Sequence, residues 1–163
     1  YYAKERELET SPCKVMDFAE ETASIVQPRL AKPPLTLACD FAPELRDRVF
    51  NIDEDQLRSA LVNVLENAVD ACRDNVDEPH PRIIFRVYIE QKNVIFDIQD
   101  NGIGLSDEVQ AKIFTLFFSS KSTQGTGIGL FITHKIIHQH GGEITVTSQP
   151  GQGAKFHIRI PLN

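Results

Sequence analysis

One long amphipathic segment, from Asn51 to Asn75, constrains the fold more than any other part of the sequence. Its apolar residues recur at intervals of three and four, which predicts a helix with one buried face. These residues are Leu57, Ala60, Leu61, Val64, Leu65, Ala68 and Cys72. Asp53 is placed to cap the N-terminus of this helix. Because a single apolar face must be covered, the segment predicts a layered domain.

Alternating apolar residues predict strands before and after this helix. The predicted strands are 35–41, 81–90, 93–100, 143–149 and 154–160. A short turn near Gln91 joins the second and third of them into a hairpin, and a turn at Pro150 and Gly151 joins the last two. Further helices are predicted over 15–30, before two prolines, and over 127–139, before two glycines. This order of elements predicts an α+β fold, a two-layer α/β sandwich in which a mixed, mostly antiparallel sheet packs on about three helices.

The chain has 163 residues, enough for one domain with its own core. We assign residues 1–14, which are mostly polar, to a linker or to the tail of an upstream element. Residues 15–163 form the predicted domain. The sequence begins with Tyr1 and not with Met, so we expect a fragment of a longer protein.

Composition excludes some classes of function. The formal net charge of −6 argues against a nucleic-acid partner, which needs a basic surface. Cys13, Cys39 and Cys72 are far apart, which fits a reducing compartment and neither a disulfide framework nor a zinc site. No apolar run approaches the ~20 residues of a membrane span, and no signal peptide is present. We therefore expect a cytoplasmic domain, and an anchor to the inner membrane would lie elsewhere in the full-length protein.

The segment KSTQGTGIGL, residues 121–130, places three glycines in front of an apolar helix. Glycines let the backbone approach an anion, and a helix N-terminus offers free amides and a favourable dipole. The segment is not a Walker A loop, because no lysine follows Gly129, nor a dinucleotide fingerprint, because position 130 is leucine. Taken alone, it fits either a phosphate-binding loop or a turn before a core helix.

A second glycine segment, DIQDNGIGL, runs from a strand directly into Asp100. A carboxylate at the end of a strand can accept a hydrogen bond from the exocyclic amine of adenine, and Gly102 and Gly104 would let the ring lie against the backbone. The other interpretation is an Asx turn that caps the strand. Both interpretations remain open from this segment alone.

A polar stripe lies beside the apolar face of the long helix, because residues three and four apart share a side of a helix. Its members are Asn63, Asn67, Asp70 and Asp74. Asparagine oxygens can coordinate Mg²⁺, which often shares its ligands with phosphate. The alternative is an ordinary solvated helix face.

Together, and in this order, the three segments resemble the GHKL superfamily of ATP-binding domains, which includes gyrase and histidine kinases. NVLENAVDA is similar to its N box, DNGIGL to its first glycine box and GTGIGL to its second. IFTLFFSSK resembles the phenylalanine box of sensor histidine kinases, and SQPGQGAKFHIRIP resembles their closing hairpin. The resemblance covers residues 35–161 and implies the catalytic, ATP-binding domain of a two-component sensor histidine kinase with the GHKL fold. The family's ATP lid is short here and leaves room for about one small helix, capped by Ser106.

The resemblance implies a role for individual residues. Asn63 and Asn67 would hold Mg²⁺ and the phosphates, and Asp100 would bind adenine. Lys121 would approach the terminal phosphates and belongs with the two asparagines to the implied catalytic set. The aromatic residues Phe114, Phe117 and Phe118 would anchor the lid. The remaining implied nucleotide-binding residues are Asp70, Gly102, Ile103, Gly104, Gly125, Thr126, Gly127, Ile128, Gly129 and Leu130.

Three positions bear on activity. Asp70 stands where many of these kinases carry a lysine or arginine, so an acid would face phosphate unless Lys121 or a lid residue compensates. Ala154 stands where a threonine often helps to bind adenine, so that hydrogen bond is absent or runs through water. Asn63 stands where hydrolytic relatives have a glutamate base. Because asparagine cannot take a proton, the resemblance implies phosphoryl transfer and not hydrolysis.

The implied acceptor is a histidine on a separate, upstream dimerisation domain, and residues 1–14 would be the linker from that domain or the tail of its dimerisation helix. The resemblance also implies relay to a response regulator and a homodimeric full-length protein, with this fragment alone expected to be a monomer. None of the chain's own histidines stands in the acceptor context of the family: His80, His134, His138, His140 and His157. Although His134 and His138 are four residues apart, no third zinc ligand accompanies them. Two alternatives stay open, a degenerate nucleotide-binding regulatory module and a GHKL serine kinase, and the phenylalanine box argues against the second.

Overall fold

The computed structural model describes residues 7–31, 35–115 and 129–162. Its helices are α1 Val15–Val26, α2 Glu54–Asp74, α3 Asp107–Lys112 and α4 Gly129–Gln139, with 3₁₀ helices at Gln27–Leu30 and Pro43–Asp47. Its strands are β1 Ser11–Lys14, β2 Thr36–Phe41, β3 Val49–Ile52, β4 Arg82–Glu90, β5 Asn93–Asp100, β6 Glu143–Ser148 and β7 Ala154–Pro161. No helix within these ranges combines the length and the apolar character needed to cross a bilayer.

Five strands form the main sheet in the order β2-β4-β5-β7-β6. Only β2 and β4 run parallel, and the other neighbours are antiparallel. One face of the sheet packs on the helices, because alternate residues of β4, β5 and β7 are apolar and buried there. Phe18 of α1 meets Phe96 of β5 edge to face, with ring centroids 5.9 Å apart. The predicted two-layer sandwich with a mixed, mostly antiparallel sheet is therefore confirmed.

Helix α2 is the central element of the helical layer and contacts both α1 and α4. It begins as predicted, because the Asp53 side chain accepts the backbone N–H of Gln56 at 3.2 Å. Its apolar residues, including Leu57, Leu61 and Val64, are fully buried. The polar stripe of α2 therefore lies along the edge of this buried face, and its first member, Asn63, contacts α4.

Two predicted chain reversals have the expected backbone chemistry. Gln91 and Lys92 both adopt positive φ, 50° and 66°, in the two-residue turn of the β4–β5 hairpin. At the end of α4, Gly141 has a φ of 78° and donates its N–H to the carbonyl of His138 at 2.9 Å. This glycine ends α4 as predicted.

A two-stranded sheet near the N-terminus was not predicted. Ser11–Lys14, which we assigned to a linker, forms β1 and pairs antiparallel with β3. Each strand has only four residues, too few for a reliable period in the sequence, and the paired residues are distant along the chain. Helix α1 ends at Val26 and continues as a 3₁₀ turn, where Pro28 occupies a first-turn position. The prolines expected to break this segment, Pro33 and Pro34, lie outside the described residues.

Candidate functional site

Asp100 is held at the end of β5 with only one of its carboxylate oxygens engaged. Oδ1 accepts the backbone N–H of Gly102 at 2.8 Å and that of Ala154 at 3.3 Å. Within the described residues, no group donates a hydrogen bond to Oδ2. The side chain is thus fixed by two backbone amides, and its second oxygen is left to accept a donor from a ligand.

The environment of Asp100 is unfavourable for a negative charge. The residue is 5% exposed, and burial raises the pKa of its carboxyl to about 6, although the hydrogen bonds from Gly102 and Ala154 act in the opposite direction. A pKa shifted by burial, in a group with an unused acceptor, is typical of a binding site. At neutral pH the carboxylate is ionised and can accept an amine N–H.

Gly102 brings the loop after β5 into direct contact with α2. A Cβ at this position would lie 2.5 Å from the backbone carbonyl carbon and oxygen of Ala71. The adjacent Ile103 donates its N–H to the same carbonyl at 3.2 Å, and its side chain is 43% exposed. Gly104 has a φ of 74°, and a Cβ at this position would lie 2.2 Å from the backbone carbonyl oxygen of Gln149. The loop that follows Asp100 therefore packs directly on α2, next to the place where we predict that adenine binds.

Asn63 lies where α2 meets the start of α4. Its Nδ2 donates to Thr133 Oγ1 of α4 at 3.1 Å, and Thr133 is buried. A Cβ on Gly129 would lie 2.9 Å from that same Nδ2, so a glycine lets the helix start approach the amide. Because Nδ2 is engaged, the orientation of the amide is set, and Oδ1 accepts no hydrogen bond from the described residues. The start of α4, with Leu130 partly buried behind Gly129, is thus fixed against the stripe.

Two amide side chains on one face of α2 suit Mg²⁺. Asn67 follows Asn63 by one helical turn and is partly buried. Amide oxygens are ligands that Mg²⁺ accepts, although it usually takes most of its coordination from phosphate and water. Asn63 and Asn67 therefore fit a metal that a nucleotide brings with it, and not a site that binds a bare ion.

Asp70 pairs with a residue that the sequence did not point to. Its Oδ1 lies 2.9 Å from Nη2 of Arg29, in the 3₁₀ helix after α1. We expected Lys121 or a lid residue to offset this acid, and Lys121 lies outside the described residues. Arg29 is 41 positions away from Asp70, so no helical spacing relates them.

The described part of the lid contains one short helix, as predicted. Ser106 caps α3 by accepting the N–H of Val109 at 3.2 Å. Gln110 then ties α3 to the sheet through the carbonyl of Ser148, at 2.9 Å. Phe114 packs between the rings of His134 and Phe156, with ring centroids 5.4 Å and 6.4 Å apart, respectively. The predicted aromatic anchor is therefore packed on the domain at this residue.

Seven of the predicted site residues lie outside the described ranges, and their roles stay predictions. They are Phe117, Phe118, Lys121, Gly125, Thr126, Gly127 and Ile128. Among the others, the structure brings Gly102 against Ala71 of α2, next to Asp100, and Gly129 against Asn63 where α2 meets α4. Sequence reasoning missed Thr133, although a threonine four residues into a helix that follows a glycine loop is a usable signal.

The family model for histidine kinase-, DNA gyrase B- and HSP90-like ATPases matches residues 52–163. The signal transduction histidine-protein kinase AtoS of Escherichia coli is 37% identical over 150 residues, 90% of this chain and 23% of AtoS. The chain spans about a fifth of the length of the curated relatives that it matches.

Solved structures of histidine kinases have the same fold as this chain. The catalytic domain of histidine kinase ThkA superposes with a TM-score of 0.81 at 25% identity, covering 95% of this chain and 97% of that domain. Full-length ShkA in complex with AMPPNP superposes with a TM-score of 0.82 at 26% identity, covering 98% of this chain and 32% of ShkA. The chain therefore belongs to the family of histidine kinase-, DNA gyrase B- and HSP90-like ATPases, and its relatives in sequence and structure are sensor histidine kinases.

Proposed function

We propose that this chain binds Mg-ATP and transfers its γ-phosphate to a histidine on a separate dimerisation domain of a sensor histidine kinase. The observation that carries the proposal is Asp100, buried at a strand end with Oδ1 fixed by two amides and with Oδ2 accepting no hydrogen bond from the described part of the chain. An exocyclic amine is the donor that this oxygen suits. The AMPPNP complex of a structural relative supports a nucleotide as the ligand.

Asn63 and Asn67 would hold Mg²⁺ together with the phosphates. The metal would supply charge neutralisation for the transferring group. The residues of the chain would position the metal and the phosphates. The hydrogen bond to Thr133 fixes the side chain of Asn63, so its amide oxygen has a defined orientation. Positioning and charge neutralisation are most of what phosphoryl transfer requires. Since Asn63 cannot accept a proton, it does not activate water, which favours transfer over hydrolysis.

The surroundings of the chain's own histidines support an acceptor elsewhere. His140 is buried and hydrogen-bonded on both ring nitrogens, and His157 lies 2.6 Å from a carboxylate oxygen of Asp97. His134 and His138 stack on each other along α4, with ring centroids 6.3 Å apart. We infer that the acceptor domain, a second protomer and a response regulator complete the system in the cytoplasm.

Phosphoryl transfer by the full-length protein tests the proposal. With ATP labelled on the γ-phosphate, we expect label on the protein that acid removes and alkali does not, as for phosphohistidine. Asn67→Ala should abolish labelling, whereas His134→Gln should leave it unchanged. Acid-stable label would indicate a serine kinase, and the absence of label with ATP bound would indicate a regulatory module. Either result would contradict the proposed reaction.

A further inference from the structure

Asp70 raises an electrostatic problem that the family resemblance does not solve. At roughly 100° per residue, Asp70 lies about 20° from Asn63 and about 60° from Asn67 around the axis of α2. Its carboxylate is therefore on the side of α2 that we assign to the phosphates, one turn beyond Asn67. Two like charges at close range in a partly buried site repel each other strongly. A phosphate there needs a cation beside Asp70.

Arg29 places a guanidinium at this position. Its Nη2 is 2.9 Å from Asp70 Oδ1, and its Nη1 is 3.7 Å from Glu66 Oε2. The two carboxylates are four residues apart on α2, so they hold the group from adjacent turns. The backbone of Arg29 is also tied to α2, because Arg73 donates from Nη2 to the Arg29 carbonyl. Arg29 is thus attached to α2 at its main chain and at its side chain.

The direction of this side chain is informative. The 3₁₀ helix that carries Arg29 follows α1, and α1 contacts α2. Asp70 belongs to the same stripe as Asn63, which contacts α4 through Thr133. The Arg29 side chain therefore reaches from the segment after α1 to the edge of this stripe, where its guanidinium meets Asp70.

We propose that Arg29 is a phosphate-binding residue and that Asp70 is the positioning residue that holds it. This inference rests on the proposed function. A guanidinium has five N–H donors, and the contacts to Asp70 and Glu66 use one nitrogen each. The side chain is 38% exposed, so its remaining donors are accessible to an anion. Arginine binds phosphate with two parallel N–H donors, and a carboxylate behind it orients the planar group.

The chain offers a matched control. Arg46 is an exposed arginine in the other 3₁₀ helix, Pro43–Asp47. Arg29→Ala and Arg46→Ala change the net charge by the same amount, so long-range electrostatics cannot separate them. A third variant, Arg29→Ala with Asp70→Lys, moves the cation onto the stripe itself. Urea unfolding of each variant checks that the fold is retained.

Calorimetric titration with Mg-ATP, Mg-ADP and adenosine tests the proposal. We expect Arg29→Ala to weaken Mg-ATP binding by about 10- to 100-fold, the range for a lost charged hydrogen bond, and to leave adenosine unchanged. Arg46→Ala should leave all three ligands unchanged, and the double variant should recover most of the affinity for Mg-ATP. Equal effects of the two single variants, or equal losses for ATP and adenosine, would overturn the assignment of Arg29 alone. Failure of the unaltered chain to bind Mg-ATP would instead overturn the proposed function and this inference with it.

Discussion

His140, just after the end of α4, and Asp53, the residue that caps α2, are joined by a buried hydrogen bond. The backbone N–H of Asp53 donates to His140 Nε2 at 3.0 Å, while His140 Nδ1 lies 2.8 Å from the Ile136 carbonyl. Nε2 therefore acts as the acceptor, and the N–H on Nδ1 is directed at that carbonyl. Asp53 Oδ2 also accepts the N–H of Glu9 at 3.0 Å. The N-terminal segment, α2 and α4 thus meet at Asp53.

Removing the His140 ring should destabilise the domain. His140→Ala removes the buried hydrogen bond that the Asp53 N–H donates and creates a cavity, so we expect the free energy of unfolding to fall by about 2–3 kcal/mol. His138→Ala, on the exposed side of the same helix, should change it by less than about 0.5 kcal/mol. Urea denaturation measures both. Similar values for the two variants would show that the bond to Asp53 contributes nothing.

Adenosine binding should depend on pH through Asp100. Because burial raises the pKa of this carboxyl to about 6, acidification from pH 7 to pH 5 protonates it and removes the charge that accepts the amine N–H. We expect affinity for adenosine to fall across this range and the dependence to be absent in Asp100→Asn. Adenosine is the right ligand, since it carries no phosphate that titrates. A flat profile for the unaltered chain would mean that another group binds the base.

The raised pKa of Asp100 also predicts how the stability of the fold depends on pH. Stability should fall as the pH rises, whereas affinity for adenosine should increase. Burial raises the pKa of Asp100 in the folded chain from its ordinary value of 3.8 to about 6, so the folded chain binds the proton more tightly than the unfolded chain does. The resulting stabilisation is complete below pH ~4 and is lost as the pH rises through about 6, by roughly 3 kcal/mol in total. Asp100→Asn should remove this component. Unfolding of both proteins between pH 4 and pH 7 gives the difference, and parallel curves would contradict it.

Gly102 should tolerate a side chain less well than Gly151 does. A Cβ at Gly102 would lie 2.5 Å from the backbone of Ala71, whereas one at Gly151 would meet no atom within 4 Å despite a φ of 79°. We expect Gly102→Ala to cost about 2–3 kcal/mol and to abolish adenosine binding, because the loop must move off α2. Gly151→Ala should cost about 1 kcal/mol, for strain alone, and keep binding. A larger loss of stability for Gly151→Ala than for Gly102→Ala would show that close contact with Ala71 is not the reason for a glycine at position 102.

Local signals explain which parts of this structure were predictable. Helix α2, its cap at Asp53 and the turn at Gln91 each depend on neighbouring residues, so spacing and turn chemistry predicted them. The β1–β3 sheet and the pair of Arg29 with Asp70 join residues about 40 positions apart, and each involves too few residues for a periodic pattern. Tertiary pairing of this kind becomes visible only when the chain is folded. The acid at position 70 was noticed in the sequence, but its partner was not.

The most direct test of the account is calorimetric titration of this chain with Mg-ATP. We expect saturable binding of one nucleotide, with a Kd below about 1 mM. Asn67→Ala and Asp100→Ala should each abolish it, because one removes an implied ligand of the metal and phosphates and the other the acceptor for adenine. No binding at millimolar nucleotide, or binding that survives either substitution, would contradict the claim that α2 and the end of β5 form a nucleotide site.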